Sequence, residues 1–315
     1  VALGTGRLTV TETVWLGVDL GGTKTALRAQ TGRGVVHERV FRWETRGAGA
    51  DLAQLSAEVG LLRARLAGGF DAVGVGTPAT LDPLGAVSAW PNRPEWIGLD
   101  LRGAFRELFG GVPVRFADDG DLGALAEADA GGVDRLLYLG VGTGIGGGMA
   151  IKGADFGAGG IGPFEIGHVI TDPDDGPPCR CGRRGCVQAV ASGPATLERA
   201  AALRGAPVAF DELRRGMAAG EEWAVAAVEL TCRRLAAVIT GVSELLAPDA
   251  VVIGGGFAAG VPGFVATVES HVHALARRGV SEVPAVRGAR FGGLATLHGA
   301  VALARLLVPP VPGAS

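Results

Sequence analysis

Val18-Asp19-Leu20-Gly21-Gly22-Thr23-Lys24, near the start of the chain, and Leu139-Gly140-Val141-Gly142-Thr143-Gly144-Ile145, near its middle, share one layout. Each is an apolar strand, a turn of glycine and threonine, and a second strand. Glycine is common at hairpin turns, so one such segment alone carries little weight. Two of them, each opening a half-chain of strands and helices, predict two related α/β domains. Working outward from the first, strands are expected at Val14–Asp19, Lys24–Ala29, Val35–Phe41, Ala72–Gly76 and Val112–Phe116, with helices at Leu52–Leu66 and Leu101–Leu108. A helix over Asp121–Asp129 follows. The second half reads as strands Leu136–Val141, Met149–Lys152 and Ala250–Ile253, helices near 194–203, 221–247 and 261–278, a strand at 283–288 and a last helix over 295–308. The Pro-rich stretch Val308–Ser315 reads as a loose tail.

At 315 residues the chain exceeds what one core usually serves, which also favours two domains. A formal net charge of -3 gives no basic surface for nucleic acid. The 54 glycines follow no triplet period, which excludes collagen; they cluster at 21–22, 140–148, 157–162 and 254–256, beside apolar runs. Such clusters suit loops where backbone must approach a ligand closely. No segment reaches the roughly 20 apolar residues of a membrane span, and no signal peptide is read at the start. Three of the four cysteines fall within eight residues, a metal-ligand spacing rather than a disulfide framework. Cys232 reads as a buried small apolar residue. A reducing, cytoplasmic setting is expected.

Phosphoryl transfer needs backbone N–H groups that cradle phosphate oxygens, hydroxyl or cationic donors, and a carboxylate for Mg²⁺. Asp19, Gly21, Gly22, Thr23 and Lys24 supply these within six residues. Thr143 and Gly144 sit in a second donor-rich turn, and Gly254, Gly255 and Gly256 form a third that could face a nucleotide. The spacing fits neither a Walker A loop nor a Rossmann fingerprint. Asp118, Asp119 and Asp121 stand at the end of a strand, just before a helix. Acids there also serve as caps, but ligands in α/β layouts gather at strand C-termini, which favours a general base.

His168, Cys179, Cys181 and Cys186 form H-x10-C-x-C-x4-C, a donor set suited to tetrahedral Zn²⁺. Four protein ligands would fill the site, so the metal reads as structural. The alternative is a set of free thiols in a loop.

The Asp19–Lys24 segment, the stretch Gly159–His168 with its Glu-x-Gly-His, and Cys179-Arg180-Cys181-Gly182-Arg183-Arg184-Gly185-Cys186 together resemble the ROK family of repressors, open reading frames and kinases. The resemblance runs from about residue 14 to 308. It implies an actin-like ATPase, hexokinase-type fold: two α/β domains with sugar and ATP in the cleft between them. A smaller N-terminal domain would hold 12–121 and 296–315, the last helix packing back on it. A larger one, 122–295, would carry the zinc loop. Asp119 matches the family's base, Glu165 a sugar-binding carboxylate, and His168 a zinc ligand beside the sugar. Thr23, Thr143 and Gly144 would contact nucleotide phosphates, and Gly255 and Gly256 the adenosine side. ATP with Mg²⁺, a structural Zn²⁺, a sugar or cyclitol acceptor and a homodimer or homotetramer are implied.

Three positions depart from the glucose-binding pattern. Asp118 replaces an Asn before the base, Gln188 replaces a Glu two residues past the last cysteine, and Ala79 replaces the Gly of a Pro-Gly-Pro loop. These redistribute polar contacts at sugar-facing positions, so the acceptor could be glucose, an epimer, an amino sugar such as an N-acetylhexosamine, or a C7-cyclitol. The rival classes are a sugar-responsive repressor and a sugar-binding protein without turnover. About thirteen residues precede the first strand, so no helix-turn-helix module is expected there.

Overall fold

The computed structural model describes residues 12–309 except 45, 67–68, 91, 153, 156–163 and 278–282. The glycine cluster at 157–162, the Gly159–Pro163 part of the family motif and the tail from 310 onward lie outside the described residues. The chain divides into two compact units, residues 1–117 with 300–315, and residues 118–299.

The first unit opens with β1 (Trp15–Leu20), β2 (Lys24–Thr31) and β3 (Gly34–Arg42), then α1 (Ala48–Arg63) and β4 (Ala72–Gly76). A small hairpin of β5 (Thr80–Leu81) and β6 (Val87–Ala89) follows, then α2 (Leu101–Phe109) and β7 (Val114–Ala117). The sheet order is β3-β2-β1-β4-β7, antiparallel from β3 to β1 and parallel from β1 to β7. β1 and β4 are apolar almost throughout because both faces of a central strand are covered. Leu16, Val18, Leu20, Val73 and Val75 form the core with Leu55, Trp96, Leu101 and Phe105.

The second unit begins with α3 (Asp119–Gly131), so Asp118 and Asp119 belong to it rather than to the first domain of the sequence reading. Then come β8 (Arg135–Val141), β9 (Ile145–Ile151) and β10 (Ala154–Asp155), a long irregular stretch, and helices α4 (Val187–Ala191), α5 (Gly193–Arg204), α6 (Phe210–Ala219) and α7 (Glu222–Leu246). β11 (Ala250–Gly254), α8 (Gly256–Gly260), α9 (Phe264–Leu275), β12 (Ala285–Gly288) and α10 (Ala295–Leu307) complete the chain. The sheet order, β10-β9-β8-β11-β12, repeats the first sheet: three antiparallel strands, then two parallel additions. The similarity of the two glycine hairpins thus reflects a repeated topology.

The C-terminal part of α10 packs on the first sheet. An added Cβ on Gly74 would lie 2.0 Å from the Ala300 carbonyl oxygen, so β4 needs glycine where the helix backbone crosses it. Trp15 Nε1 donates to the Val308 carbonyl at 2.7 Å and fixes the helix end. Among the described residues no helix is long and apolar enough to cross a membrane.

Candidate active site

In the first unit, Asp19 is half-buried at the end of β1. Burial raises its pKa, and the nearby Lys24 ammonium partly offsets this. The turn that follows has no room for side chains at its glycines. A Cβ on Gly21 would sit 2.7 Å from the Lys24 carbonyl oxygen, and one on Gly22 would sit 2.8 Å from the Asn92 Cβ. Thr23 and Lys24 are exposed. Ala79 is half-buried and packs against the core of this unit. Its N–H donates to Thr77 Oγ1 at 3.2 Å.

In the second unit α3 starts at Asp119, two residues before the Asp121 start expected from the sequence. Asp118 is the N-cap, its Oδ1 accepting from the Gly120 N–H at 2.8 Å. Both acids reach solvent, whereas Asp121 is buried. Protein atoms still crowd Asp118 enough that desolvation raises its pKa, against the lowering effect of the Gly120 and Asp119 N–H groups. The helix start is pressed onto β9 glycine to glycine. A Cβ on Gly120 would lie 2.1 Å from the Gly147 oxygen, and one on Gly148 would lie 2.2 Å from the Gly120 oxygen. The glycine run after the second turn therefore seats the acid pair directly on the strand that leaves that turn.

The second turn is closed by the Gly142 N–H donating to the Gly144 oxygen at 2.9 Å, with Thr143 exposed at its tip. It is braced from α4 and α5. The Ile145 N–H donates to Gln188 Oε1 at 2.9 Å, and the Gly193 N–H to the Gly142 oxygen at 2.9 Å. Gln188 was expected to face the sugar, but its side-chain oxygen is committed to this turn. Gly167 packs on the same hairpin, since its Cβ would meet the Ile145 oxygen at 2.0 Å. That contact explains the glycine in Glu-x-Gly-His and sets Glu165 and His168 beside the turn.

His168, Cys179, Cys181 and Cys186 place their ligand atoms within 4.8 Å of one another. His168 Nδ1 lies 3.7 Å from Cys179 Sγ, and Cys181 Sγ lies 3.6 Å from Cys186 Sγ. A tetrahedron with Zn–S bonds of ~2.3 Å has edges of about 3.8 Å, so the donor set fits a tetrahedral ion. The other imidazole nitrogen, Nε2, is 3.9 Å from the exposed Glu165 carboxylate. One ring thus joins the thiol cluster to that carboxylate. Arg183, chiefly through its backbone N–H, lowers the exposed Cys181 thiol to about 6, while burial pushes Cys186 up to about 11.

A cavity of about 370 Å³ opens beside β11, lined by Gly254, Gly255, Ala258, Phe264, Gly288 and Ala289 among others. Gly255 has φ 89°, and a Cβ there would meet the Val141 backbone at 2.4 Å, so the chain passes β8 at contact distance. Gly256, named with it from the sequence, starts α8 and is not among the lining residues. Gly288, at the end of β12, and Ala289 share this wall without belonging to any sequence motif.

Residues 15–306 match the ROK family. The chain belongs to the ROK family. It is 52% identical over 293 residues to a kanosamine kinase from Amycolatopsis mediterranei, covering 93% of this chain and 96% of that one. It is 32% identical to a glucokinase from Thermotoga maritima, covering 76% of this chain and 81% of that protein. Among solved structures, a ROK hexokinase from Thermus thermophilus superposes with a TM-score of 0.84 at 32% identity, covering 94% and 99% of the two chains. A ROK glucokinase from Streptomyces griseus, solved with glucose and AMPPNP, gives 0.67 at 26% identity, covering 93% and 99%. This ROK chain therefore has the actin-like ATPase fold with two α/β domains, and it is a sugar kinase.

Proposed function

We propose that this kinase transfers the γ-phosphoryl group of ATP to the 6-hydroxyl of an amino-hexose of the kanosamine type, with Asp119 as general base. One observation carries the acceptor class: a carboxylate, Asp118, stands beside the base where glucose-binding ROK members have an amide. Kanosamine is glucose with an amine in place of one ring hydroxyl. A carboxylate pairs with an ammonium, whereas an amide offers it only a neutral oxygen. Asp118 caps α3 through Oδ1 and reaches solvent, where its charge can face the substrate amine. The 52% identity to a kanosamine kinase supports the same reading.

Asp119 takes the hydroxyl proton as the phosphoryl group arrives. Asp19 would hold Mg²⁺, directly or through water, and the ion would supply charge neutralisation for the transferring phosphate. Gly21, Gly22, Thr23, Lys24, Thr143 and Gly144 supply donors to the phosphates. Gly255, with Gly256 at the start of α8, borders the adenosine. Glu165 and His168 bind sugar hydroxyls. Zn²⁺ on His168, Cys179, Cys181 and Cys186 would be structural, fixing the imidazole so that Nε2 keeps its orientation. Assembly as a homodimer or homotetramer and a cytoplasmic location belong to the same proposal.

The test is a panel of kanosamine, glucose, N-acetylmannosamine and a C7-cyclitol, ranked by kcat/KM with ATP, with the phosphorylated carbon assigned by NMR. Kanosamine leading by tenfold or more, phosphorylated at C6, supports the proposal. Glucose leading overturns the acceptor class while leaving a sugar kinase in place.

A further inference from the structure

We infer that Arg93, held by the buried carboxylate of Asp51, and Trp43, packed against the Arg93 guanidinium, are positioning residues for the first phosphate turn. The inference rests on the reading that Asp19–Lys24 binds nucleotide phosphates. Both glycine carbonyls of that turn are held from behind by side chains of the first unit. Trp43 Nε1 donates to the Gly21 oxygen at 2.8 Å, and Arg93 Nε donates to the Gly22 oxygen at 2.8 Å. A trans peptide points its N–H opposite to its C=O. Holding the Gly21 and Gly22 carbonyls therefore aims the Gly22 and Thr23 N–H groups the other way, as two fixed donors. Glycine offers the least intrinsic preference for any one peptide orientation, so these two residues are where external restraint matters most.

The restraint is itself anchored. Arg93 is 4% exposed, and its guanidinium pairs with Asp51, which is 0% exposed. Asp51 also accepts from Trp96 Nε1 at 2.8 Å and from the Gly47 N–H at 3.3 Å. The Arg93 guanidinium lies 5.0 Å from the Trp43 ring centroid, and Trp96 meets Trp43 edge-on at 5.8 Å. A buried ion pair is weak as a source of stability compared with apolar filling. Here it fixes one planar group so that Nε faces a single carbonyl, which lysine's point charge cannot reproduce while still reaching Asp51.

The test measures binding of the β,γ-imido analogue of ATP with Mg²⁺, and of the sugar separately, by calorimetry. Trp43→Phe keeps an aromatic ring but loses the indole N–H and the second ring of the indole; Arg93→Lys keeps the charge beside Asp51. We expect nucleotide affinity to fall about fivefold in Trp43→Phe, the effect of one hydrogen bond, and tenfold or more in Arg93→Lys. Sugar affinity should stay within twofold even though the smaller ring of Trp43→Phe lowers the Tm. Unchanged nucleotide affinity in Trp43→Phe, or equal losses for nucleotide and sugar, overturns the inference alone. A wild-type protein that binds no nucleotide overturns the phosphate-turn reading, and the inference with it.

Discussion

Replacing Asp118 by Asn should convert the enzyme's preference from an amino-hexose toward glucose. The substitution keeps the α3 cap, because an Asn oxygen also accepts from the Gly120 N–H. It removes one negative charge and nothing larger. A carboxylate and an ammonium about 4 Å apart interact by ~1 kcal/mol in bulk water and ~4 kcal/mol at an effective dielectric of 20. Asp118 reaches solvent, yet desolvation raises its pKa, so its surroundings lie between those limits. The lower half of that range, ~1–2.5 kcal/mol, is roughly a five- to sixtyfold change in the ratio of kcat/KM for kanosamine over glucose, at 1.4 kcal/mol per factor of ten. The pH dependence has a definite sign. With its pKa raised, Asp118 loses its charge as pH falls through a value above the ordinary aspartate range near 3.9. The wild-type preference for the amine should therefore decline on that acid limb, while the Asn variant shows a flat ratio. Steady-state kinetics with both sugars between pH 5 and 8 measures this. An unchanged ratio in the variant would show that Asp118 does not meet the amine.

Three further outcomes follow from the geometry. Gly74→Ala should overpack the crossing of β4 and α10, where the added Cβ sits 2.0 Å from the Ala300 oxygen; a cost of roughly 1–3 kcal/mol would lower Tm by about 3–10 °C in calorimetry. Gln188→Ala should free the Ile145 N–H and raise the KM for ATP about fivefold, while Gln188→Glu, which retains an acceptor for that N–H, should stay near wild type. Cys179→Ser should release one zinc per chain by metal analysis, lower Tm by more than about 5 °C and weaken sugar binding.

Much of the scaffold was legible because its signals are local. The apolar runs Trp15–Val18 and Ala250–Ile253 mark central strands, and the glycines beside them mark tight turns. The spacing of His168 and the three cysteines announced a tetrahedral donor set for the same reason. What the sequence hid depends on tertiary contact. An acid such as Asp121 suits a helix start by its charge, but in the fold α3 already begins at Asp119, and Gly120 is the point where it touches Gly147. α6 went unread because Ala209, a weak cap by type, starts it, with Glu212 reaching back to the Ala209 N–H at 2.9 Å. Gln188 could be numbered but not aimed. Arg93 lies 42 residues from Asp51 and 50 from Trp43, and none of the three belongs to a motif, so only coordinates bring them to one turn.

The central claim is that the Asp119 carboxylate accepts the proton of the attacking hydroxyl. Asp119→Asn keeps shape and the start of α3, so the decisive measurement is single-turnover phosphorylation by this variant alongside sugar binding by calorimetry. The account predicts a fall in the chemical rate of about 10²–10⁴-fold with sugar affinity within a fewfold of wild type. Turnover at the wild-type rate would contradict it.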